Sequence, residues 1–281
     1  MTTAARVRRP AVAGAFYPDD RHALTTLVSR LMDEIEVPVD EPLALAYVTP
    51  HAGYRFSGPI AAQVYARLRA HADRVRRIVV LGPSHFVPLR GCAVPTVDSW
   101  LTPAGEAPID TEVRAAVVDA GLAAPDDAPH SREHSIEVQL PFLSGAMGDD
   151  VALLPIAVGA CPVEKVVEIA EVAMAAAGPG AVLLCSTDFS HYHDHATAQQ
   201  LDRRTAQAVA DLAPDRISPQ DACGVFALRG AVGWARKRRL GAQQLDLRTS
   251  ADTYGNPDRV VGYPAFAFHE AGSAERMNPD R

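Results

Sequence analysis

The sequence predicts an α/β fold, with a mainly parallel central sheet flanked by helices. Three observations carry that expectation. Four short apolar runs are continuous rather than alternating in polarity, as in strands covered on both faces. Amphipathic segments of helical period lie between the runs, the pattern of parallel strands joined by crossover helices. No repeat, low-complexity segment or long linker interrupts the 281 residues. One domain over residues 1–281 is therefore the simpler organisation.

The elements follow in order. "LALAYVT" (43–49) reads as the first buried strand. "SGPIAAQVYARLRAHA" (57–72) places Ile60, Val64 and Leu68 on one helical stripe. "RIVVLG" (77–82) is the second strand and "VALLPIAV" (151–158) the third. "CPVEKVVEIAEVAMAAA" (161–177) has Pro162 near its start and Gly178 just past its end, the usual asymmetry of helix termini. "AVLLCST" (181–187) is the fourth strand, and "HATAQQLDRRTAQAVADL" (195–212) the helix after it. "SPQDACGVFALRGAVGWARKRR" (218–239) reads as a helix with Cys223 in its early turns. "QQLDLRT" (243–249) and "VVGYPAFAFHE" (260–270) close the sheet, and the polar tail from about 271 to 281 is expected to fray.

Composition narrows the function. The formal net charge is −7, and the longest basic run, "RKRR" at 236–239, reads as the solvated end of a helix. Nothing favours a nucleic-acid surface. No apolar run reaches the ~18 residues of a membrane span, and the N-terminus lacks the apolar core of a signal peptide. Four cysteines, at 92, 161, 185 and 223, form no CxxC pair. A soluble cytoplasmic protein with reduced thiols is the expectation.

Polar residues collect where strands end. The first strand runs into "TPHAGYRFSG" (49–58), the second into "GPSHFVP" (82–88) and the fourth into "STDFSHYH" (186–193). Ligands of open α/β sheets bind beyond the carboxyl ends of the strands. His51, His85, Asp188 and His191 are thus expected to converge. Within "STDFSHYHDHA", Asp194 reads as a helix N-cap, with His193 and His195 as solvated neighbours. In "HSREHSIEVQLPFL" (130–143), His134 and Glu137 are spaced i, i+3. On a helix that pair either serves a metal or proton relay, or simply marks a helix start. Cys223 near a helix N-terminus is either an activated thiol or a buried, inert one. Cys92, Cys161 and Cys185 read as structural.

"AGAFYP" (13–18), "TPHAGYRFSG" (49–58), "GPSHF" (82–86), "TPAGEAPID" (102–110), "EHSIEVQLPFL" (133–143), "STDFSHY" (186–192) and "CG" (223–224) occur in the order of the Memo family. In bacteria and archaea this family is called AmmeMemoRadiSam system protein B. The resemblance spans roughly residues 8 to 270. It implies a fold like the catalytic subunit of class III extradiol ring-cleaving dioxygenases, which hold Fe(II) with two histidines and a glutamate. Carried over residue by residue, it implies His51, His85 and Cys223 as metal ligands. It also implies Asp188 and His191 as an acid/base pair, and His134 as a lining residue.

Two imidazoles and a thiolate suit Fe(II), Cu or Zn, and the thiolate makes the site softer than a carboxylate triad. The leading expectation is a non-heme metal-dependent redox enzyme acting on a small oxidisable molecule. Fe(II) is the first metal, with Cu or Zn as alternatives. His191 would be general acid/base beside Asp188, and His134 and Tyr54 would contact substrate. Three other readings stand beside it. One is a non-catalytic metal-binding protein that partners radical SAM and AMMECR-type proteins, the setting the bacterial family name implies. The others are a zinc hydrolase and, last, a metal-free cysteine nucleophile.

Overall fold

The computed structural model describes residues 5–148 and 151–270, so the predicted frayed tail lies outside the described residues. All six expected strands form. They are β1 (Ala46–Thr49), β2 (Arg77–Pro83), β3 (Ala152–Val158), β4 (Ala181–Ser186), β5 (Leu240–Thr249) and β6 (Val260–Glu270). Their order across the sheet is β5–β6–β1–β4–β2–β3. The pairs β1–β4, β4–β2 and β2–β3 are parallel, while β6 runs antiparallel to β1 and β5 antiparallel to β6. Short strands extend both sides, with Cys92–Val94 beside β3 and His191–His193 beside β6.

Strand residues alternate between two cores. Ile78 and Val80 of β2 pack with the helices Arg21–Asp33 (α1) and Tyr54–Ala70 (α2), while Val79 and Leu81 face the helices Val163–Ala177 (α3) and Val225–Lys237 (α5). Helix α4 (His195–Ala210) follows β4. The central strands are buried on both faces, which is why their sequences are continuous apolar runs.

Two helix starts differ from the sequence reading by three residues or more. Helix α2 starts at Tyr54 rather than 57. Helix α5 starts at Val225, so Cys223 precedes it instead of lying in its early turns. The reason is local: the Asp221 carboxylate accepts the Ser218 N–H at 2.7 Å and Arg204 Nη2 at 2.6 Å. Those bonds fold residues 218–221 into a turn that competes with helix.

The N-terminal segment is anchored across residues 130–139. Arg8 donates to the carbonyls of His130 and Glu133 and to Glu137 Oε2, each at 2.7 Å. His130 lies buried in this anchor, 5.5 Å from the Trp100 ring, and burial pushes its pKa down to about 4. An unfolded histidine titrates near 6.5. The unfolded chain therefore binds the extra proton between those values, and stability falls as pH falls through that window. A loss on the order of 2 kcal/mol is expected between pH 8 and pH 5 from this residue. Urea titrations at a series of pH values check it: His130→Gln should flatten the dependence, and an equally steep slope would refute the assignment.

Candidate metal centre

Strand β4 lies between β1 and β2, so the loops that leave these three strands are lateral neighbours, separated by about 4.8 Å per strand. His51 follows β1, His85 follows β2, and Asp188 follows β4. Cys223 comes from the opposite side, just ahead of α5. Its N–H donates to the Asp188 carbonyl at 3.1 Å, and the Gly224 N–H donates to Thr187 Oγ1 at 3.0 Å. A Cβ on Gly224 would stand 2.9 Å from Thr187 Oγ1. The glycine is what allows this close approach.

One donor atom from each of His51, His85 and Cys223 lies within 4.8 Å of the others. The hydrogen bonds fix which nitrogens are available. Ser186 Oγ donates to the Ser135 carbonyl at 2.6 Å, so towards His51 Nδ1, 3.0 Å away, it acts as acceptor. His51 therefore carries its hydrogen on Nδ1, and its Nε2 lone pair faces Cys223 Sγ at 3.2 Å. His85 Nδ1 lies 2.9 Å from Glu133 Oε1, and a carboxylate only accepts. Nδ1 of His85 is thereby committed to Glu133, so Nε2 is the nitrogen that can serve as a ligand. The Asp188 N–H donates to Cys223 Sγ at 3.3 Å. The second nitrogen of both imidazoles is thus committed to an orienting partner, as in histidine metal sites.

Burial dominates the electrostatics. It lowers His51 far below its usual range, His134 to about 4, and His191 by a smaller amount. Burial also raises the Asp188 carboxyl to about 7, even though Asp188 Oδ1 accepts the His51 N–H at 2.8 Å. Cys223 is pushed up to about 12, by burial first and by the Asp188 charge second. The activated thiol contemplated from the sequence is absent: the helix starts later, and burial outweighs its dipole. With no cation beside it among the described residues, the buried sulfur is held as a neutral thiol, a poor nucleophile.

His134 lies beside both histidines of the donor group. Its ring stacks on His85 at 4.9 Å and meets His51 edge-on at 5.3 Å. It does not share a helix face with Glu137, because regular α-helix begins only at Leu140. Glu137 turns away to Arg8, the Ala11 and Val12 N–H groups and Tyr17 Oη. His191 Nδ1 lies 2.8 Å from the Phe189 carbonyl, an acceptor, which leaves Nε2 as the basic atom of a neutral ring. Tyr54 does not line the pocket. It is buried against Tyr17 and Phe142, and its hydroxyl donates to the Val138 carbonyl at 2.6 Å. A core position for Tyr54 replaces the substrate contact expected of it. Asp194 caps α4 by accepting the Thr197 N–H at 3.0 Å, and His195 pairs with Thr249 Oγ1.

The sequence reading missed Glu133. This buried carboxylate accepts the N–H groups of His85 at 2.6 Å, His134 at 3.0 Å and Ser135 at 2.9 Å, besides His85 Nδ1. Burial alone would raise its pKa, but the bonds from His85 prevail and hold it at about 2. Its adjacency to His134 in the sequence was the available signal. An amide cannot accept all four donors. Glu133→Gln should therefore lower metal affinity by about 10–100-fold. Chelator competition checks this, and an unchanged affinity would mean that Glu133 does not orient His85.

Fold and site together define an α/β protein with clustered histidine rings and a His–His–Cys donor group at the carboxyl edge of its sheet. The family profile described as Memo-like protein matches residues 8–267. The chain belongs to the Memo-like family. It is 33% identical to a MEMO1 family protein of Methanopyrus kandleri, covering 93% of this chain and 98% of that one. A MEMO1 family protein of Aeropyrum pernix is 34% identical (92% and 99% covered), and one of Aquifex aeolicus 33% (94% and 99%). A crystal structure of an uncharacterized protein from Escherichia coli K12 shares the fold, with a TM-score of 0.52 at 13% identity, over 79% of this chain and 99% of that chain. Among the described residues no helix is long and apolar enough to cross a membrane.

Proposed function

We propose that the chain is a non-heme metal-dependent redox enzyme of dioxygenase type, acting on a small oxidisable molecule. His51 Nε2, His85 Nε2 and Cys223 Sγ hold the metal, Fe(II) first, with Cu or Zn as alternatives. The observation that carries the reading is the donor arrangement. Three potential ligand atoms lie within 4.8 Å of one another, and the other ring nitrogen of each histidine is already committed. The donor set fits such an ion, and it gives the buried sulfur the positive partner it otherwise lacks.

When bound, the metal supplies a Lewis-acid and electron-transfer centre. The protein does the rest. Glu133 and Ser186 hold the two imidazoles in place. His191 Nε2 takes a proton from a substrate hydroxyl, with Nδ1–H anchored on the Phe189 carbonyl. Asp188, buried beside His51, sets the charge of the pocket. His134 forms one wall.

Metal analysis of protein purified without oxygen, followed by oxygen uptake with a catechol panel, tests the proposal. Iron or copper near ~1 per chain with uptake is expected. Zinc as the only metal retained would replace this reading with hydrolysis. Full iron loading without uptake would replace it with a metal-binding role beside radical SAM and AMMECR-type partners.

A further inference from the structure

Two of the four cysteines meet away from the metal centre. Cys92 opens the short strand beside β3, where it pairs antiparallel with Val158. Past Val158 the chain turns back on itself. The Gly159 N–H donates to the Gly91 carbonyl at 2.8 Å and the Ala160 N–H to the Leu89 carbonyl at 2.9 Å. The Gly91 N–H in turn donates to the Ala160 carbonyl at 3.2 Å. Ala160 thereby pairs parallel with Arg90. A Cβ on Gly159 would stand 2.1 Å from the Leu89 carbonyl oxygen, so only glycine permits this reversal. One residue further on, the chain delivers Cys161 beside Gly91 and Cys92, just ahead of α3. The two cysteine side chains pack on the same core cluster and share a hydrogen bond.

Paired backbones lie about 4.8 Å apart, and a disulfide joins Cα atoms about 4.4–6.8 Å apart. The backbone pairing therefore holds these two residues within bonding reach. The pair is also asymmetric. Cys92 is buried, with 4% of its surface exposed, whereas Cys161 is half-buried. The bond from Cys92 lowers the Cys161 thiol below its ordinary range, against burial and with help from Lys165. The same bond raises Cys92, and burial adds to that. An accessible thiol that ionises readily beside a buried partner is the arrangement of an attacking and a resolving cysteine. Neither sulfur belongs to the donor group of the metal centre.

We propose that Cys92 and Cys161 form a reversible disulfide, oxidised by a small-molecule disulfide that Cys161 attacks. The Cys161 thiolate bonds to one sulfur of the small molecule, whose own S–S bond breaks and releases one thiolate. The Cys92 sulfur gives its proton to solvent and attacks Cys161 Sγ in the mixed disulfide, and the second small thiolate leaves. The two released thiolates take up the two protons that the cysteines lost. Two electrons thus pass from the protein dithiol to the small disulfide. The new bond ties the strand that follows the His85 loop to the start of α3.

The test uses the full-length protein under native conditions. It is equilibrated with excess oxidised glutathione, quenched in acid, alkylated and mapped by peptide mass spectrometry. The expected product is a Cys92–Cys161 link that dithiothreitol reverses. In the reduced protein, iodoacetamide should label Cys161 at least about tenfold faster than Cys92. Cys92→Ser should stop at a glutathione adduct on Cys161, because the resolving sulfur is gone. Cys161→Ser should leave Cys92 unmodified. A merely packed pair of thiols would not produce that asymmetry, and the wild-type map needs no variant to fold. Both thiols staying reduced in excess oxidised glutathione would overturn the proposal. So would a link that appears only after unfolding in urea, or one that joins Cys185 or Cys223 instead. A glutathione adduct on Cys92 in Cys161→Ser would overturn Cys161 as the attacking thiol.

Discussion

Cys223→Ser is expected to strip the protein of tightly held transition metal. Serine nearly keeps the shape and can still donate to His51 Nε2, which the sulfur faces at 3.2 Å. What it loses is a soft, deprotonatable donor, since a hydroxyl does not ionise at neutral pH and binds Fe(II), Cu or Zn poorly. Changing an orienting partner alone costs about 10–100-fold in metal affinity, so loss of a ligand should exceed about a hundredfold. The fold should survive. Two of the contacts that place this segment do not involve the sulfur: Cys223 N–H donates to the Asp188 carbonyl and Gly224 N–H to Thr187 Oγ1. Metal per chain after anaerobic purification and a chelator titration read the effect, with thermal unfolding of the metal-free protein as the control. Unchanged metal affinity in a folded variant would remove Cys223 from the ligand set.

Glu137→Ala is expected to cost the most stability. Its carboxylate is fully buried and accepts Arg8 Nη1 at 2.7 Å, the Ala11 and Val12 N–H groups at 2.8 and 2.9 Å, and Tyr17 Oη at 2.6 Å. Alanine leaves the buried Arg8 charge without its carboxylate and three further donors without an acceptor. Breaking a buried ion pair from one side costs on the order of 3–5 kcal/mol. The Arg8 guanidinium also donates to the Glu133 carbonyl, so the loosened segment carries Glu133 and His134. Denaturant midpoints should fall sharply, and metal affinity should weaken in whatever protein remains folded. A loss under about 1 kcal/mol would mean that solvent satisfies these donors and that the anchor is dispensable. Glu137→Gln keeps one acceptor and should fall between the two.

The strands were legible because burial on both faces leaves continuous apolar runs, and the structure starts or ends them within a few residues of the expected bounds. The loops bearing His51, His85, Asp188 and His191 were legible for a related reason. Polar residues directly after apolar strands have few places to go but the carboxyl edge of the sheet. The turn ahead of Cys223 was not, because Asp221 competes with helix through bonds to Ser218 and to the distant Arg204. Tyr54 sits in a site-like motif, yet its ring is drawn into the core by Tyr17 and Phe142. Glu133 was overlooked because four donors point at it only once β2 and the 130–139 segment are side by side.

By itself the sequence determined the class of fold, the family and the residue types offered to the site. Those depend on local period, on residues adjacent in the chain and on ordered motifs. Tertiary structure alone decided which residues meet. The insertion of β4 between β1 and β2 makes neighbours of loops some 140 positions apart. Burial and hydrogen bonds together then set the protonation of groups such as His51, Asp188 and Glu133, and hydrogen bonds decide which nitrogen of His51 and of His85 is turned to an orienting partner. Strand order and burial are set by the packing of the whole chain, so no single segment encodes them.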